Sequence, residues 1–128
     1  MANIHVLTNS HKEAVVKVYD TASAGNTHDI NIASVIKRSD ETFDRNLAEV
    51  TIKEIYWGAK KDKQIDISRI ANSAANTVHN HYYLINSGYY DYVGFVDNIY
   101  SDSDIRITAD GSFHVILKLG KVSGYTIG

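Results

Sequence analysis

His79 and His81 stand one residue apart, and on a β-strand a period of two places both imidazoles on one face. Two imidazoles at that spacing can share a zinc or copper ion. A closed site needs further ligands, and the surrounding sequence supplies none. The plainer reading is a polar pair in a row that faces solvent or another subunit. Asp97, Asp102 and Asp104 offer carboxylate oxygens to calcium, but their spacing is irregular. A calcium loop adds a glycine at its sharp turn and a later bidentate glutamate, and both are missing, so a solvated acidic loop is expected. No metal and no cofactor is predicted.

Catalytic signatures are equally thin. Gly88, Gly94 and Gly111 fit no phosphate-cradling loop, and no Gly-x-Ser-x-Gly elbow presents a serine. Glu54 is the one carboxylate in an unusual position, inside an apolar run, and a β-bulge accounts for it. The chain therefore reads as non-enzymatic. The aromatic residues are the richer signal: Tyr56, Trp57, Tyr82, Tyr83, Tyr89, Tyr90 and Tyr92 fall within one stretch. Part of this set is expected to fill the core with hydroxyls at the rim. The rest forms a contact surface, since Tyr and Trp combine large apolar area with few rotatable bonds. The candidate partner-contact residues are Tyr56, Trp57, Tyr83, Tyr89, Tyr90 and Tyr92, with His79 and His81.

The elements that must position these residues are strands. Residues 104–122 read as a β-hairpin: Ile105 and Ile107 alternate with polar residues, Asp110-Gly111 provides a type I′ turn, and Phe113, Val115, Leu117 and Leu119 resume the alternation. Residues 4–7 form a first strand, Asn9-Ser10 a turn and residues 12–19 a second strand. Residues 22–27 are a loop. Residues 29–32 resume alternation through Ile30 and Ile32, with Val35-Ile36 as a continuation. The charged stretch 37–46 reads as a connection that crosses from one sheet to another.

Val50 and Ile52 share one parity whereas Ile55 and Trp57 share the other, which predicts a bulge near Lys53-Glu54. Residues 58–62 turn into a second hairpin carrying Ile65 and Ile67. Residues 71–75 suit a short helical turn, and 77–85 form a strand apolar on both faces. Ser87-Gly88 ends that run, a second aromatic stretch begins at Tyr89, and residues 97–104 are an acidic loop. The expected fold is all-β, an antiparallel β-sandwich or flattened barrel of about eight short strands, in a single domain over residues 1–128.

Composition agrees. A chain of 128 residues, 44% hydrophobic and 22% charged, can bury a core without staples. A formal charge of −2 disfavours nucleic acid, which needs a basic face. With no cysteine, disulfides and thiolate zinc sites are excluded. With no proline, turns fall to Gly, Asn, Asp and Ser. No segment has the pattern of a signal peptide or the apolar length of a membrane span, so a soluble chain without membrane contact is expected.

The order Ile52-x-x-Ile55-Tyr56-Trp57, Ile65-x-Ile67-x-Arg69, Leu84 to Gly88 with Tyr90-Asp91, then Asp104-Ile105-Arg106-Ile107-Thr108 and Leu117-x-Leu119-x-Lys121, carries a resemblance. It resembles small virion structural proteins of marine tailed phages, especially those that infect cyanobacteria. The likeness spans residues 47–125 and extends loosely to residues 15–18. Where that pattern often has Gly-x-Trp-Asp, this chain has Gly88-Tyr89-Tyr90-Asp91. The resemblance implies a non-enzymatic part of a virion, assembled in the host cytoplasm. The expected role is a capsid decoration or cement protein that binds the major capsid protein or another virion protein, with self-association possible. A neck or tail component is the alternative within the same particle. A glycan-binding module, with Trp57, Tyr89, Tyr90 and Tyr92 as stacking platforms, is the alternative of a different class.

Overall fold

The computed structural model describes residues 4–21, 25–60, 62–70, 78–91 and 102–127. Eleven strands are present among them: β1 (Ile4–Asn9), β2 (Glu13–Asp20), β3 (Asn26–Ile30), β4 (Glu41–Phe43), β5 (Glu49–Ala59), β6 (Gln64–Ile70), β7 (Val78–Ile85), β8 (Ser87–Asp91), β9 (Asp104–Ala109), β10 (Phe113–Ser123) and β11 (Tyr125–Ile127). They form three antiparallel sheets in the orders β1-β2-β10-β5-β8, β3-β9-β6-β7 and β11-β4. No sheet closes into a barrel, and the expected sandwich-like all-β architecture is the one present. The strands beyond the expected eight include β4 and β11, three residues each, too short to show a period in sequence.

Alternation decides which side chains meet. From the five-stranded sheet, Val16, Val18, Ile52, Ile55, Val115, Leu117 and Leu119 turn inward; from the four-stranded sheet, Ile30, Ile65, Ile67, Leu84, Ile105 and Ile107 do so. These residues are almost wholly buried in one continuous cluster. Burying each such side chain stabilises the fold by roughly 1.5–3 kcal/mol before chain entropy is counted. The bulge falls where the parity change places it: Lys118 pairs with Glu54 and Leu119 with Ile52, so Lys53 is the extra residue.

The two hairpins read from the sequence at residues 104–122 and after residue 58 are not hairpins. β9 pairs with β3 and β6, whereas β10 pairs with β2 and β5. The chain thus crosses from one sheet to the other at 110–112, and again between β5 and β6. Two alternating runs joined by a short turn fit a hairpin or an arch equally, because period reports the face and not the partner. Gly111 is also not in the left-handed region; among the described residues only Asp62 (φ 63°), Asn86 (φ 58°) and Gly124 (φ 93°) are. The two crossings brace each other. The Asp110 carboxylate accepts the Gln64 N–H at 2.7 Å, and Ser112 O accepts the Lys60 N–H at 3.1 Å. Asn86 alone separates β7 from β8, which also lie in different sheets.

Val35-Ile36 does not continue β3. The Asn31 carboxamide accepts the Ala33 N–H and the Val35 N–H reaches Asn31 O, which curls the chain into a turn. The connection at 37–46 does cross between sheets, from β3 to β5, with β4 inside it. The short helical turn expected at 71–75 lies outside the described residues.

Gly124 makes the corner between β10 and β11. A β-carbon there would stand 2.5 Å from Ala48 Cα, on top of a φ that L side chains avoid. Gly124→Ala is expected to lower stability by about 2–4 kcal/mol, from backbone strain plus overpacking, seen as an earlier urea midpoint at unchanged slope.

Candidate functional site

The solvent face of the five-stranded sheet is built by the residues that alternate with the core. Pairing aligns His5, Lys17, Ile116, Tyr56 and Tyr89 in one row across β1, β2, β10, β5 and β8. Tyr56 and Tyr89, direct cross-strand partners, stack at 4.3 Å between ring centroids. Both hydroxyls donate to Glu54 Oε1, at 3.3 and 3.0 Å. Glu54 also pairs with Lys118 at 3.2 Å, Lys118 lies 3.8 Å from Glu13, and Glu13 pairs with Lys53 at 2.9 Å. The Lys118 ammonium and the Tyr89 hydroxyl hold the Glu54 carboxyl below its usual range, and Lys53 does the same for Glu13. At the other end of the face His5 stacks on Tyr19 at 5.5 Å, with Lys17 above the same ring.

The result is a rigid sheet surface with a fixed aromatic pair in a frame of neutralised charges. Tyr56 and Tyr89 remain 44% and 45% exposed despite their stacking, so the pair presents ring surface to solvent. The outer face of the four-stranded sheet is different. Thr27, Thr108 and Asp66 form one row, and Asp29 grips Arg106 through two bonds of 2.8 and 3.1 Å in the next. That surface is polar along β3, β9 and β6, with Tyr83 beside Asp66 and Ile85 beside Gln64 exposed on its β7 edge.

The sequence-predicted contact residues fall in three places. Tyr56 and Tyr89 share the face just described. Trp57 and Tyr90 have the opposite parity and, with Tyr82, close the flank of the sandwich where β8 meets β7. Ring centroids lie 5.0 Å apart for Trp57–Tyr90 and 6.5 Å for Tyr82–Tyr90. The Trp57 ring occupies the space a β-carbon on Gly88 would need, and its indole N–H donates to Ile85 O at 3.0 Å. This covers a strand glycine with its cross-strand aromatic partner. Tyr83, 59% exposed, lies on the far side of the molecule, opposite Asp66.

The side chains of His79 and His81, and all of Tyr92, Gly94 and Asp97, lie outside the described residues. The backbone pairing skips His81, because Ile67 pairs with Tyr82 and Ser68 with Asn80. Asp104 accepts the Ile32 N–H and pairs with Arg45, which also donates to Asp102 O. Those acidic residues tie the loop to the sandwich. Among the described residues no group of three or more His, Asp or Glu side chains stands close enough to hold a metal ion.

Sequence reasoning missed three buried charged side chains, Lys121, Glu41 and Arg69. Lys121 and Glu41 form a 2.8 Å ion pair with both side chains wholly buried. The Arg38 N–H (2.8 Å) and His11 Nδ1 (2.7 Å) complete the carboxylate. Burial alone would raise the Glu41 carboxyl, but the hydrogen bonds from Lys121, Arg38 and His11 outweigh it and bring it down to about 2. Beside this pair the Tyr125 hydroxyl donates to Ile32 O, and burial drives that phenol upward. Arg69 is buried between the sheets, with Nε and Nη2 donating to Ser103 O and Nη1 to Val50 O. The signal was in the parity: Lys121 continues the inward series 113, 115, 117, 119, and Arg69 continues 65, 67.

No protein-family profile, curated protein or solved structure matches this chain.

Proposed function

We propose that this protein is a non-catalytic structural component of a phage particle. In this reading it is a decoration protein that seats the outer face of its five-stranded sheet on the assembled shell of major capsid subunits. The carrying observation is the stacked Tyr56–Tyr89 pair, fixed by Glu54 and exposed at the end of a row that crosses all five strands. An anchor already held in its rotamer loses little entropy on docking. The outer face of the other sheet, polar along β3, β9 and β6 with the Asp29–Arg106 pair on it, is the side left to solvent in this reading. A protein that binds only the assembled lattice stabilises that state, and many copies together multiply a modest contact. The resemblance to phage virion proteins supplies the partner's identity. The glycan-binding alternative is weakened because Trp57, the best stacking platform, is spent on Gly88 and the Ile85 carbonyl.

The test is rebinding of purified protein to shells stripped of it. Tyr56→Ser with Tyr89→Ser is expected to weaken binding by about 30-fold or more, the effect of losing an aromatic hot spot. Tyr83→Ser, on the opposite sheet, is expected to bind as the parent does. Undiminished binding by the double variant overturns the docking face. Stripped shells that resist heat and osmotic shock as well as decorated ones overturn the reinforcing role.

A further inference from the structure

Lys121 ends in a site closed to water, where its Nζ meets Glu41 Oε1 at 2.8 Å, Asn9 Oδ1 at 3.0 Å and Ser10 O at 2.9 Å. The Tyr125 ring packs 4.8 Å from the same nitrogen. Asn9 is itself held, its Nδ2 donating to Ile36 O at 2.9 Å. A primary amine, a carboxamide and a carboxylate thus converge from β10, β1 and β4, in low dielectric and fixed geometry. Three acceptors meet the three ammonium N–H bonds, and one of them is a carboxamide, a group that a neutral amine can attack.

We propose that Lys121 and Asn9 are the two ends of an intramolecular isopeptide cross-link, formed with Glu41 as proton carrier. The step begins when one proton crosses from Lys121 Nζ to Glu41 Oε1, turning the ion pair into a neutral amine beside a neutral acid. A dry site reduces the cost of that exchange, because neither product needs a hydration shell. Rotation about the Cε–Nζ bond brings the nitrogen lone pair onto Asn9 Cγ. The new N–C bond forms as the carbonyl π pair moves to Oδ1, and the Glu41 O–H stabilises the oxyanion. The pair returns from Oδ1, the bond from Cγ to Nδ2 breaks, and Nδ2 leaves with one of the two remaining Nζ protons and the one Glu41 held, while the other Nζ proton stays on the new amide. An ammonium ion departs, a secondary amide remains and Glu41 is again a carboxylate. No oxidant, reductant or metal is required.

The resting state is the ion pair, because the Arg38 N–H and His11 hold Glu41 as a carboxylate. The reaction is accordingly slow, on the scale of storage rather than of folding. Once made, the bond joins positions 112 residues apart and ties the first strand to the centre of the five-stranded sheet. It is independent of which surface docks on what.

Intact mass and tryptic mapping of the full chain test this. Folded protein stored at neutral pH is expected to lose the mass of one ammonia molecule, while an aliquot kept in urea keeps its mass. Trypsin then fails to cleave after Lys121 and yields a branched peptide containing both Asn9 and Lys121. Glu41→Gln and Lys121→Arg are expected to retain full mass. Folded wild-type protein that keeps its full mass and a free Lys121 amine through prolonged storage overturns the proposal and leaves an ion pair only. Ammonia loss with Lys121 still cleaved marks a succinimide at Asn9-Ser10 and overturns it as well.

Discussion

Lys121→Met is expected to destabilise the protein by about 3–5 kcal/mol, measured on material whose Lys121 still carries a free amine. Methionine replaces the apolar stem at similar volume, so packing changes little. What changes is charge. Glu41, wholly buried, loses its ammonium partner and keeps only the Arg38 N–H and His11. An uncompensated buried carboxylate costs far more than the intact pair contributes, so the double variant Glu41→Leu, Lys121→Met is expected to recover most of the loss. Acid gives an independent check. Glu41 titrates at an ordinary 4.5 when unfolded and at about 2 when folded, so its contribution is full above about pH 4.5 and fades as pH falls toward about 2. Over that window the wild type is expected to lose about 3 kcal/mol from this group alone, whereas Lys121→Met flattens the dependence. Urea midpoints at several pH values decide it. A single variant as stable as the parent would mean the carboxylate has found water and does not depend on the Lys121 ammonium.

How far the sequence could be read follows from what alternation encodes. Period two marks the inward face, so Ile30, Ile65, Ile67, Ile105, Ile107, Val115 and Leu117 were legible as core, and the parity change at Lys53 was legible as a bulge. Period carries no information on pairing partners. Asp110-Gly111 looked like a hairpin turn because its neighbours alternate, yet the strands it joins face each other across the core. What sends them to separate sheets is non-local: Asp110 bonds to Gln64 and Ser112 to Lys60, residues that no local pattern connects.

The aromatic surface was legible as composition but not as geometry. Tyr56 and Trp57 are adjacent in sequence and therefore point to opposite faces, one to solvent and one to the flank. Only the pairing of β5 with β8 shows that Tyr56 belongs with Tyr89 and Trp57 with Gly88 and Tyr90. The buried charges were open to inference, since a Lys or Arg on a core parity demands a partner. Which partner was not, because Glu41 lies 80 residues away on a strand too short to detect.

Arg69→Met gives the second large effect, an expected loss of about 3–5 kcal/mol, and here the reasoning differs from that for Lys121. A buried ion pair exchanged as a whole for well-packed apolar side chains is often neutral or even stabilising. Arg69, however, donates to main-chain carbonyls at Ser103 and Val50, and no second substitution can remove those. Each orphaned carbonyl in the interior costs about 1–3 kcal/mol. Val50 belongs to β5 and Arg69 to β6, so the guanidinium also holds the two sheets in register where the loop before β9 arrives. Arg69→Lys is expected to fall between the two, since one ammonium on a flexible stem reaches the carbonyls without the fork geometry of the guanidinium. Urea unfolding ranks the three proteins. If methionine at 69 is neutral, water has replaced the guanidinium at both carbonyls, and the two sheets are held by apolar packing alone.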